Sequence, residues 1–339
     1  MPAVESAPLS APSPGAPPSH HLAPPLFKKR IAEDAPVTAR SVALFRFGEQ
    51  CNNNCPMCSN TGSPAVFFQP TDELLRRAAF LRRAGFRRAV VTGGEATIHP
   101  GFWTVTERLA DHGMIWDINT HGRSFSRPGF ARRAVDTGLK RAIVSLHSHR
   151  APTSAAIFGV SEAAHHETVS GIEQLVASGV LVMINCVFTQ LNLGHLEEYL
   201  QVGADRFGRA VGFKFVFPST IGVGGRWSGI ATLRYDDVRE TVQRLRGLAA
   251  ARDLRVFFES FPNCVLGSAD ATNIGRSGFG ETHYLDDASG DRAYAMRHIE
   301  AELSAFAAVC RTCRAARRCS GVSLGYAKRF GVDELTPFA

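Results

Sequence analysis

The stretch Cys51-Asn52-Asn53-Asn54-Cys55-Pro56-Met57-Cys58 decides how this chain is interpreted. It follows the apolar run SVALF (residues 41–45), which predicts a strand, and it holds three thiols within eight residues. Thiols this close together belong to one loop, and a loop after a strand is where a barrel-type α/β protein keeps its chemistry. Structural zinc sites have four ligands, whereas a [4Fe-4S] cluster held by three thiolates keeps one iron open. Three cysteines therefore favour a metal site with an open position.

The spacing C-x3-C-x2-C, with Met57 directly before the last cysteine, resembles that of the radical S-adenosylmethionine (radical SAM) family. In that family, the open iron binds the amino and carboxylate groups of SAM. A second motif, Gly93-Gly94-Glu95, follows the apolar run AVVT (residues 89–92), where the family has it after its second strand. The alternatives are half of a zinc site or a chance cysteine cluster. Two motifs in register favour the family.

Composition limits the class of protein. The chain has 339 residues, 45% of them hydrophobic and 20% charged, which suits one large domain and a small one. It has no run of eighteen apolar residues, so we expect no membrane span. Residues 1–26 are rich in Pro, Ala and Ser and lack the blocks of a secretory signal, which predicts a disordered extension. Eight cysteines in such a chain indicate metal ligation in a reducing cytoplasm, not disulfides.

The net charge of +7 and the isoelectric point near 9.2 raise the question of a nucleic-acid partner. Many of the arginines lie on predicted helix faces, as in residues 76–77 and 82–83, where a solvated outer surface is the simpler interpretation. A positive surface could also attract an acidic electron donor such as a flavodoxin or ferredoxin.

Strands and helices alternate along the chain. Strands are predicted at 42–45, 89–92, 114–119, 142–146, 181–188 and 212–217, and helices at 71–85, 102–112, 128–137, 168–178, 196–206 and 235–251. This order predicts an α/β protein with a parallel sheet and helices outside. The resemblance implies a partial (β/α)6 TIM-type barrel over residues 38–251, between a disordered extension (residues 1–37) and a small cysteine-rich unit (residues 252–339).

Polar residues follow the predicted strands, at the end of a barrel where catalytic groups lie. The resemblance implies that Glu95 accepts hydrogen bonds from the SAM ammonium group while its two glycines let the backbone approach the ligand. It also implies that Ser145 binds the ribose or carboxylate of SAM. Three further candidates could contact SAM or serve as ordinary turn or core residues: Asn119 in the turn NTHG, Asn185, and Pro218 in the segment FPS. His147, His149, His165 and His166 cluster near the fourth unit, and their irregular spacing favours solvated or hydrogen-bonded loop histidines, with a metal site as the alternative.

A second set of thiols lies near the carboxy end. Cys310, Cys313 and Cys319 have the spacing C-x2-C-x5-C after a predicted helix at 301–306, and Cys264 lies upstream. With Gly321, Tyr326 and Gly331 they resemble the tail of radical SAM enzymes that carry a SPASM or twitch extension. The resemblance implies one auxiliary [4Fe-4S] cluster, with whether Cys264 is its fourth ligand left open. A zinc ion held by the same four thiolates is the alternative.

The resemblance implies an enzyme that cleaves SAM reductively and abstracts hydrogen with a 5′-deoxyadenosyl radical. An auxiliary cluster suits oxidative modification or cross-linking, and a ribosomally synthesised peptide is the first-ranked substrate. Small-molecule natural-product or cofactor chemistry is the second. The molybdopterin-precursor synthases are related, but their Gly-Arg-rich tail differs from ELTPFA at residues 334–339. A peptide substrate would require a leader-binding partner or recognition by the barrel itself.

Two further readings stay open. A zinc-binding nucleic-acid-binding protein would account for the charge, but it gives the Gly-Gly-Glu motif no purpose. A radical SAM enzyme that acts on RNA is a third possibility, and only a substrate screen would separate it from a peptide-modifying enzyme.

Overall fold

A computed structural model describes residues 22–23, 37–58, 67–218, 229–269, 273–274, 281–285, 293–295 and 304–339. The predicted amino-terminal extension lies outside these residues, apart from residues 22–23 and 37. Most of the polar stretch between Cys264 and Asp291 and the first half of the helix predicted at 301–306 lie outside them as well.

Strands and helices alternate over most of the described chain. The strands are β1 (Leu22–Ala23), β2 (Ser41–Arg46), β3 (Arg88–Thr92), β4 (Ile115–Thr120), β5 (Leu139–Ser145), β6 (Leu181–Val187), β7 (Val211–Val216), β8 (Val256–Glu259), β9 (Asn273–Ile274), β10 (Glu281–Leu285), β11 (Ala293–Ala295), β12 (Ser304–Ala307) and β13 (Val322–Ser323). The α-helices are α1 (Thr71–Arg83), α2 (Phe102–Asp111), α3 (Phe130–Asp136), α4 (Ala151–Phe158), α5 (Glu162–Ala177), α6 (Leu196–Phe207), α7 (Tyr235–Ala251), α8 (Asn263–Leu266) and α9 (Leu324–Phe330). Short 3-10 helices lie at Ala96–Ile98, Arg123–Ser126, Leu193–His195, Gly208–Ala210, Gly229–Ala231 and Ala308–Thr312.

One large sheet organises the molecule. Its strand order is β11-β10-β2-β3-β4-β5-β6-β7-β8-β9. Strands β2 to β9 pair in parallel in chain order, and β10 adds to the β2 edge in parallel. This is the curved α/β sheet of a partial TIM-type barrel, and the predicted fold class is confirmed.

The two faces of the sheet differ in burial. Residues that face the helices, such as Val91, Ile118, Val144 and Phe215, are fully buried. Most of their neighbours along the strands, including Ser145, are only half-buried, whereas Asp117 beside Ile118 is buried. Parallel sheets in α/β proteins are ordinarily covered on both faces, so the open concave face leaves room for a ligand at the barrel axis.

The six predicted βα units are all present, and the prediction for the last helix matches α7 to the residue. The sequence analysis missed α4, which lies between β5 and α5. It was also wrong about the helix at 301–306 where the structure describes it, because Ser304–Ala307 forms β12. Ala305 and Ala307 are buried and alternate with half-buried residues, and this period of two is that of a strand.

The residues after α7 contribute to two sheets. Strands β8 to β11 extend the large sheet at both of its edges, while β12 pairs with β1 and β13 in a small separate sheet. Helix α9 follows β13 directly. None of the helices in the described residues is both long and apolar enough to cross a membrane.

Candidate active site

A cavity of about 350 Å³ opens at the carboxyl ends of the parallel strands. Its size is that of a small-molecule site. The structure brings together in its lining all eleven residues that the sequence analysis placed at the barrel site: Cys51, Cys55, Met57, Cys58, Gly93, Gly94, Glu95, Asn119, Ser145, Asn185 and Pro218. Their individual roles toward SAM remain predictions.

The cysteine loop follows β2 and is held by backbone hydrogen bonds. The N–H of Glu95 donates to Gln50 O at 2.8 Å, and the N–H of Gly94 donates to Gly48 O at 2.9 Å. On its other side, the N–H of Asn54 donates to Phe158 O at 2.9 Å, at the end of the helix that the sequence analysis missed. The loop conformation is therefore fixed by the ends of β3 and α4.

Gly93 and Gly94 have a structural purpose that the sequence analysis did not foresee. A Cβ atom on Gly93 would lie 2.3 Å from Gly48 O, and one on Gly94 would lie 2.1 Å from Gln50 O. Gly93 also has a φ of +139°, which favours glycine. The motif thus lets the end of β3 pack directly on the backbone that leads into the cysteines.

Glu95 is buried and already has donors on both carboxylate oxygens. Its Oε1 accepts from Thr97 Oγ1 at 2.5 Å and from Thr120 Oγ1 at 2.9 Å, and its Oε2 accepts from the N–H of His121 at 2.9 Å. This carboxylate ties the end of β3 to the end of β4. Any hydrogen bond to the SAM ammonium group would share an oxygen with these partners.

Two side chains after β4 reach the cysteine loop, and the sequence analysis missed both. His121 Nε2 lies 2.6 Å from Asn52 Oδ1. Arg123 donates from Nη1 to Asn53 Oδ1 at 3.0 Å and from Nε to a Glu167 carboxylate oxygen at 2.6 Å. His121 belongs to the predicted turn NTHG and Arg123 follows it directly, but their contacts with Asn52 and Asn53 arise only when the chain is folded.

Two buried amide oxygens in the cavity are available to accept hydrogen bonds. In the part of the chain that the structure describes, neither Asn119 Oδ1 nor Asn185 Oδ1 has a hydrogen-bond partner, although both atoms are buried. Both residues line the cavity, and Ser145 lies opposite Asn185 in the register of β5 and β6. Since buried polar atoms are normally paired, these oxygens suit the hydroxyl and amine donors of SAM.

The three loop thiols fit an iron-sulfur cluster by their chemistry. Burial raises the pKa of Cys51 to about 11 and that of Cys55 to about 12, with smaller contributions from neighbouring charges. Soft thiolates are the ligands that iron-sulfur clusters use, and metal ligation displaces the thiol protons. Cys51 Sγ already accepts a hydrogen bond from the N–H of Asn53 at 3.4 Å, which stabilises a thiolate.

His147 is a further cavity residue that the sequence analysis treated as an ordinary loop histidine. Its ring is buried and packs against Phe158 with ring centroids 4.8 Å apart. The N–H of Val187 lies 3.3 Å from its Nδ1. Burial lowers the pKa of His147 to about 4, so the ring is neutral at physiological pH.

The four carboxy-terminal thiols meet at a second, small cavity of about 20 Å³, lined by Cys264, Cys310, Cys313 and Cys319. Two sulfur atoms accept backbone hydrogen bonds: Cys319 Sγ from the N–H groups of Asn263 and Gly321, and Cys313 Sγ from the N–H of Phe338, each at 3.4 Å. Hydrogen bonds to sulfur are a feature of iron-sulfur sites.

The described residues contain no group of three or more His, Cys, Asp or Glu side chains placed to hold a single metal ion. Thiolates bind both zinc ions and iron-sulfur clusters. Cys186 lies apart from both sets, buried on β6, where its thiol contacts His147 O at 3.6 Å.

Residues 45–202 match the family model described as the Radical SAM superfamily. The fold, the three-thiol loop and the match together define this region as a radical SAM superfamily domain. The match runs from the last two residues of β2, through the cysteine loop and strands β3 to β6, into α6.

Curated relatives and solved structures share parts of the chain. It is 26% identical over 172 residues to a probable GTP 3′,8-cyclase of Thermococcus kodakarensis, covering 50% of this chain and 54% of that protein. It is 26% identical over 223 residues to the mycofactocin maturase MftC of Mycobacterium ulcerans, covering 65% of this chain and 56% of that protein. The chain thus spans about half the length of the curated relatives it matches.

The structure of Streptococcus suis SuiB bound to precursor peptide SuiA aligns with a TM-score of 0.52 at 14% identity, covering 65% of this chain and 48% of that chain. Native anSMEcpe with bound AdoMet aligns with a TM-score of 0.50 at 14% identity, covering 64% of this chain and 63% of that chain.

Proposed function

We propose that this protein is a radical SAM enzyme that abstracts hydrogen from its substrate. The observation that carries the proposal is the packing of the three-cysteine loop on Gly93-Gly94-Glu95, beside a cavity with two amide oxygens that have no hydrogen-bond partner among the described residues. A [4Fe-4S] cluster bound there would supply the electron that cleaves SAM into methionine and a 5′-deoxyadenosyl radical.

The side chains of the cavity would bind and orient SAM. Cys51, Cys55 and Cys58 would hold the cluster, and the backbone beside Met57 would border it. Asn119, Ser145 and Asn185 would accept hydrogen bonds from the adenosyl moiety, with Pro218 at the rim. The cavity lining also includes apolar side chains, among them Phe158 and Phe217, which would help to exclude water from a reactive radical.

The carboxy-terminal thiols would form an auxiliary cluster site. Their shared cavity and their backbone hydrogen-bond donors support an iron-sulfur cluster, with a zinc ion held by the same four thiolates as the alternative. Such a site suits a reaction in which the substrate radical must lose an electron. We therefore treat residues 38–251 as the SAM-cleaving unit and residues 252–339 as the auxiliary, twitch-like unit.

For the substrate, we place peptide modification first. The match to mycofactocin maturase covers more of this chain than the matches to the cyclases, and the same fold holds a precursor peptide in SuiB, an analogy at the level of fold alone. The open concave face of the barrel also leaves room for an extended chain. A peptide would be presented by a leader-binding partner or bound by the barrel itself.

Small-molecule chemistry is the second candidate, because relatives named GTP 3′,8-cyclase match about half of the chain at 26% and 28% identity. In either case the enzyme requires an electron, and an acidic flavodoxin or ferredoxin suits a protein of net charge +7. A cytoplasmic location would suit these sites, because the reducing cytoplasm keeps cysteine thiols from pairing as disulfides.

The test is reconstitution without oxygen. We expect about eight irons per chain, matching sulfide, and formation of 5′-deoxyadenosine once dithionite and SAM are added. A result of about four irons and one zinc per chain would support an iron-sulfur cluster at the first site and a structural zinc ion at the second. The proposal fails if the protein binds no iron and forms no 5′-deoxyadenosine.

Matched cysteine variants make the test specific. Changing Cys51, Cys55 or Cys58 to Ala should abolish SAM cleavage, since each would supply one of three ligands. Cys186→Ser, a change at a buried thiol outside both sets, should leave iron content unchanged. Cleavage that survives in any of the first three variants would refute the assigned ligands.

A further inference from the structure

The turn that follows β4 binds the two asparagines after Cys51. His121 Nδ1 accepts a hydrogen bond from the N–H of Arg123 at 3.2 Å, so in the neutral ring Nε2 carries the proton and donates to Asn52 Oδ1 at 2.6 Å. Arg123 Nη1 donates to Asn53 Oδ1 at 3.0 Å and to the backbone oxygen of Asn52 at 3.2 Å. The peptide unit that joins the two asparagines is thus held at its carbonyl and through both flanking side chains.

The other end of this peptide unit contacts a sulfur atom. The N–H of Asn53 donates to Cys51 Sγ at 3.4 Å. The carbonyl of the same unit accepts from Arg123. Because a peptide unit is planar, a guanidinium that holds its oxygen also fixes the direction of its N–H. A cation at the oxygen further polarises the unit and strengthens the N–H as a donor. Arg123 therefore acts on Cys51 through one peptide unit.

Helix α5 supports this arrangement from outside the cysteine loop. Arg123 Nε donates to a Glu167 carboxylate oxygen at 2.6 Å. The backbone of the turn is tied to the same helix, because Thr168 Oγ1 donates to His121 O at 2.8 Å. Helix α5 thus holds both the guanidinium and the turn that carries it.

Arg123 differs from an arginine in an ordinary surface ion pair. Arg252, for example, pairs with Asp205 of α6. It lies between α7 and β8, at the amino ends of the strands, whereas the cysteine loop lies at their carboxyl ends. Arg123 uses one nitrogen for its carboxylate and a second for the cysteine loop. A lysine ammonium is a point charge and cannot present this fork.

We infer that Arg123 is a positioning residue that keeps the N–H of Asn53 on Cys51 Sγ and thereby sets the reduction potential of the cluster proposed for the three-cysteine loop. This inference rests on the proposed function. Hydrogen bonds to the sulfurs are among the determinants of an iron-sulfur potential. A donor at the sulfur stabilises the negative charge that one added electron brings, so it raises the potential. The electron comes from an external reductant, dithionite in vitro, and no bond forms or breaks in this step.

Three substitutions test the inference. Arg123→Gln removes both the charge and the fork, whereas Arg123→Lys keeps the charge without the fork. Arg252→Gln makes the same charge change as the first variant at the opposite ends of the strands. Each protein is reconstituted without oxygen, and its midpoint potential is measured by dithionite titration followed by electron paramagnetic resonance. The signal that changes when SAM is added identifies the cluster at the three-cysteine loop.

We expect Arg123→Gln to make reduction about tenfold less favourable, which is about 59 mV for one electron. Arg123→Lys should show most of this fall, and Arg252→Gln should stay within about twofold of the parent, because a distant exposed charge is screened. If Arg123→Lys equals the parent while Arg123→Gln falls, charge alone acts and the inference is wrong. An unchanged potential in Arg123→Gln, or an equal fall in Arg252→Gln, overturns it as well.

Hydrogen–deuterium exchange of the cysteine loop measures the positioning directly. In both Arg123 variants, the peptide that contains Asn53 should exchange at least about fivefold faster than in the parent, while peptides from β5 and β6 keep the parental rates. The comparison is made on reconstituted and on metal-free protein, so it decides the question even if a variant binds no iron. Equal loop exchange in the parent and Arg123→Gln would contradict the inference. If Arg123→Gln does not fold, Arg123→Lys is used for the same measurements.

Failure of this inference is distinguishable from failure of the proposed function. Iron, sulfide and dithionite-driven formation of 5′-deoxyadenosine are measured on the same preparations of the parent. A parent that binds no iron and forms no 5′-deoxyadenosine contradicts the proposed function. A parent that binds iron and cleaves SAM, but matches Arg123→Gln in potential and in loop exchange, contradicts the positioning role alone.

Discussion

At the residue scale, the Gly-Gly-Glu motif acts on the protein's own backbone. Gly93 and Gly94 are the points where the end of β3 touches the segment that leads into the cysteines, and Glu95 then ties that end to β4. The motif therefore positions the thiols before any ligand arrives. This explains how a loop of eight residues, four of them Asn or Pro, can hold three thiols in place.

Gly94→Ala should displace the cysteine loop. A Cβ there would lie 2.1 Å from Gln50 O, a backbone atom that cannot move without the loop. We expect a loss of about 2 kcal/mol in unfolding free energy from overpacking and incomplete iron loading at the first site. Urea unfolding and iron analysis check both effects.

Gly247→Ala is the matched control. Gly247 lies in α7, and a Cβ there would meet no atom within 4 Å. Ala is the better helix former, so this variant should gain about 0.5–1 kcal/mol and keep its full iron. Equal iron loss in the two variants would show that the steric argument is wrong.

His147 should make stability depend on pH. Its folded-state pKa of about 4 lies below the ordinary value of 6.5, so the unfolded chain binds the proton first and stability falls as the pH drops through 6.5. The expected loss is about 2 kcal/mol by pH 5. His147→Asn keeps an acceptor for the N–H of Val187 without titrating. Urea unfolding of the metal-free proteins should give curves that converge as pH falls. A constant separation from pH 7.5 to 5 would contradict the assignment.

The sequence was sufficient to predict the site residues whose type and spacing form a recognisable motif. Cysteines, the Gly-Gly-Glu motif and polar residues after strands were all placed at the strand ends, where they line one cavity. It did not predict Arg123 or His147, because their roles depend on contacts across the fold, with Asn53 and Val187. No local pattern contains that information.

At the element scale, hydrophobic periodicity predicted the helices and strands that are regular and amphipathic. Helix α7 has acidic residues in its first turn and a buried stripe, and its bounds were predicted correctly. The prediction for residues 301–306 was wrong, because Ala-rich segments suit a helix locally and only pairing with β1 and β13 makes Ser304–Ala307 a strand.

The carboxy-terminal segment is expected to complete the second thiol site. Leu335 and Pro337 line the small cavity, and the N–H of Phe338 donates to Cys313 Sγ at 3.4 Å. Deleting residues 336–339 removes that donor and opens the cavity, so we expect loss of about four irons per chain or rapid bleaching in air. Phe338→Ala keeps the backbone N–H and should retain the iron. Full iron in the deletion variant would show that the segment has no part in the site.

At the scale of the whole molecule, the sheet connects two thiol sites of different kinds. The first lies at the carboxyl ends of the strands, with three thiols and a cavity large enough for a ligand. The second follows β8 and β12, with four thiols around a cavity too small for a substrate. Three ligands leave an iron open and four do not, so the two sites should divide the reaction into SAM cleavage and electron removal.

Changing Cys310 or Cys313 to Ala tests that division. Each change removes one ligand of the second site and none of the first, so iron should fall by about four per chain while dithionite-driven SAM cleavage continues. Product formation should stop, because a substrate radical without an electron outlet is quenched or returns to substrate. The measurement is the ratio of 5′-deoxyadenosine to modified product, which should rise well above that of the parent. If both sites fail together, the second site supports folding instead of electron removal, since loss of a structural site would destabilise the β12–β13 sheet and the strands that extend the barrel.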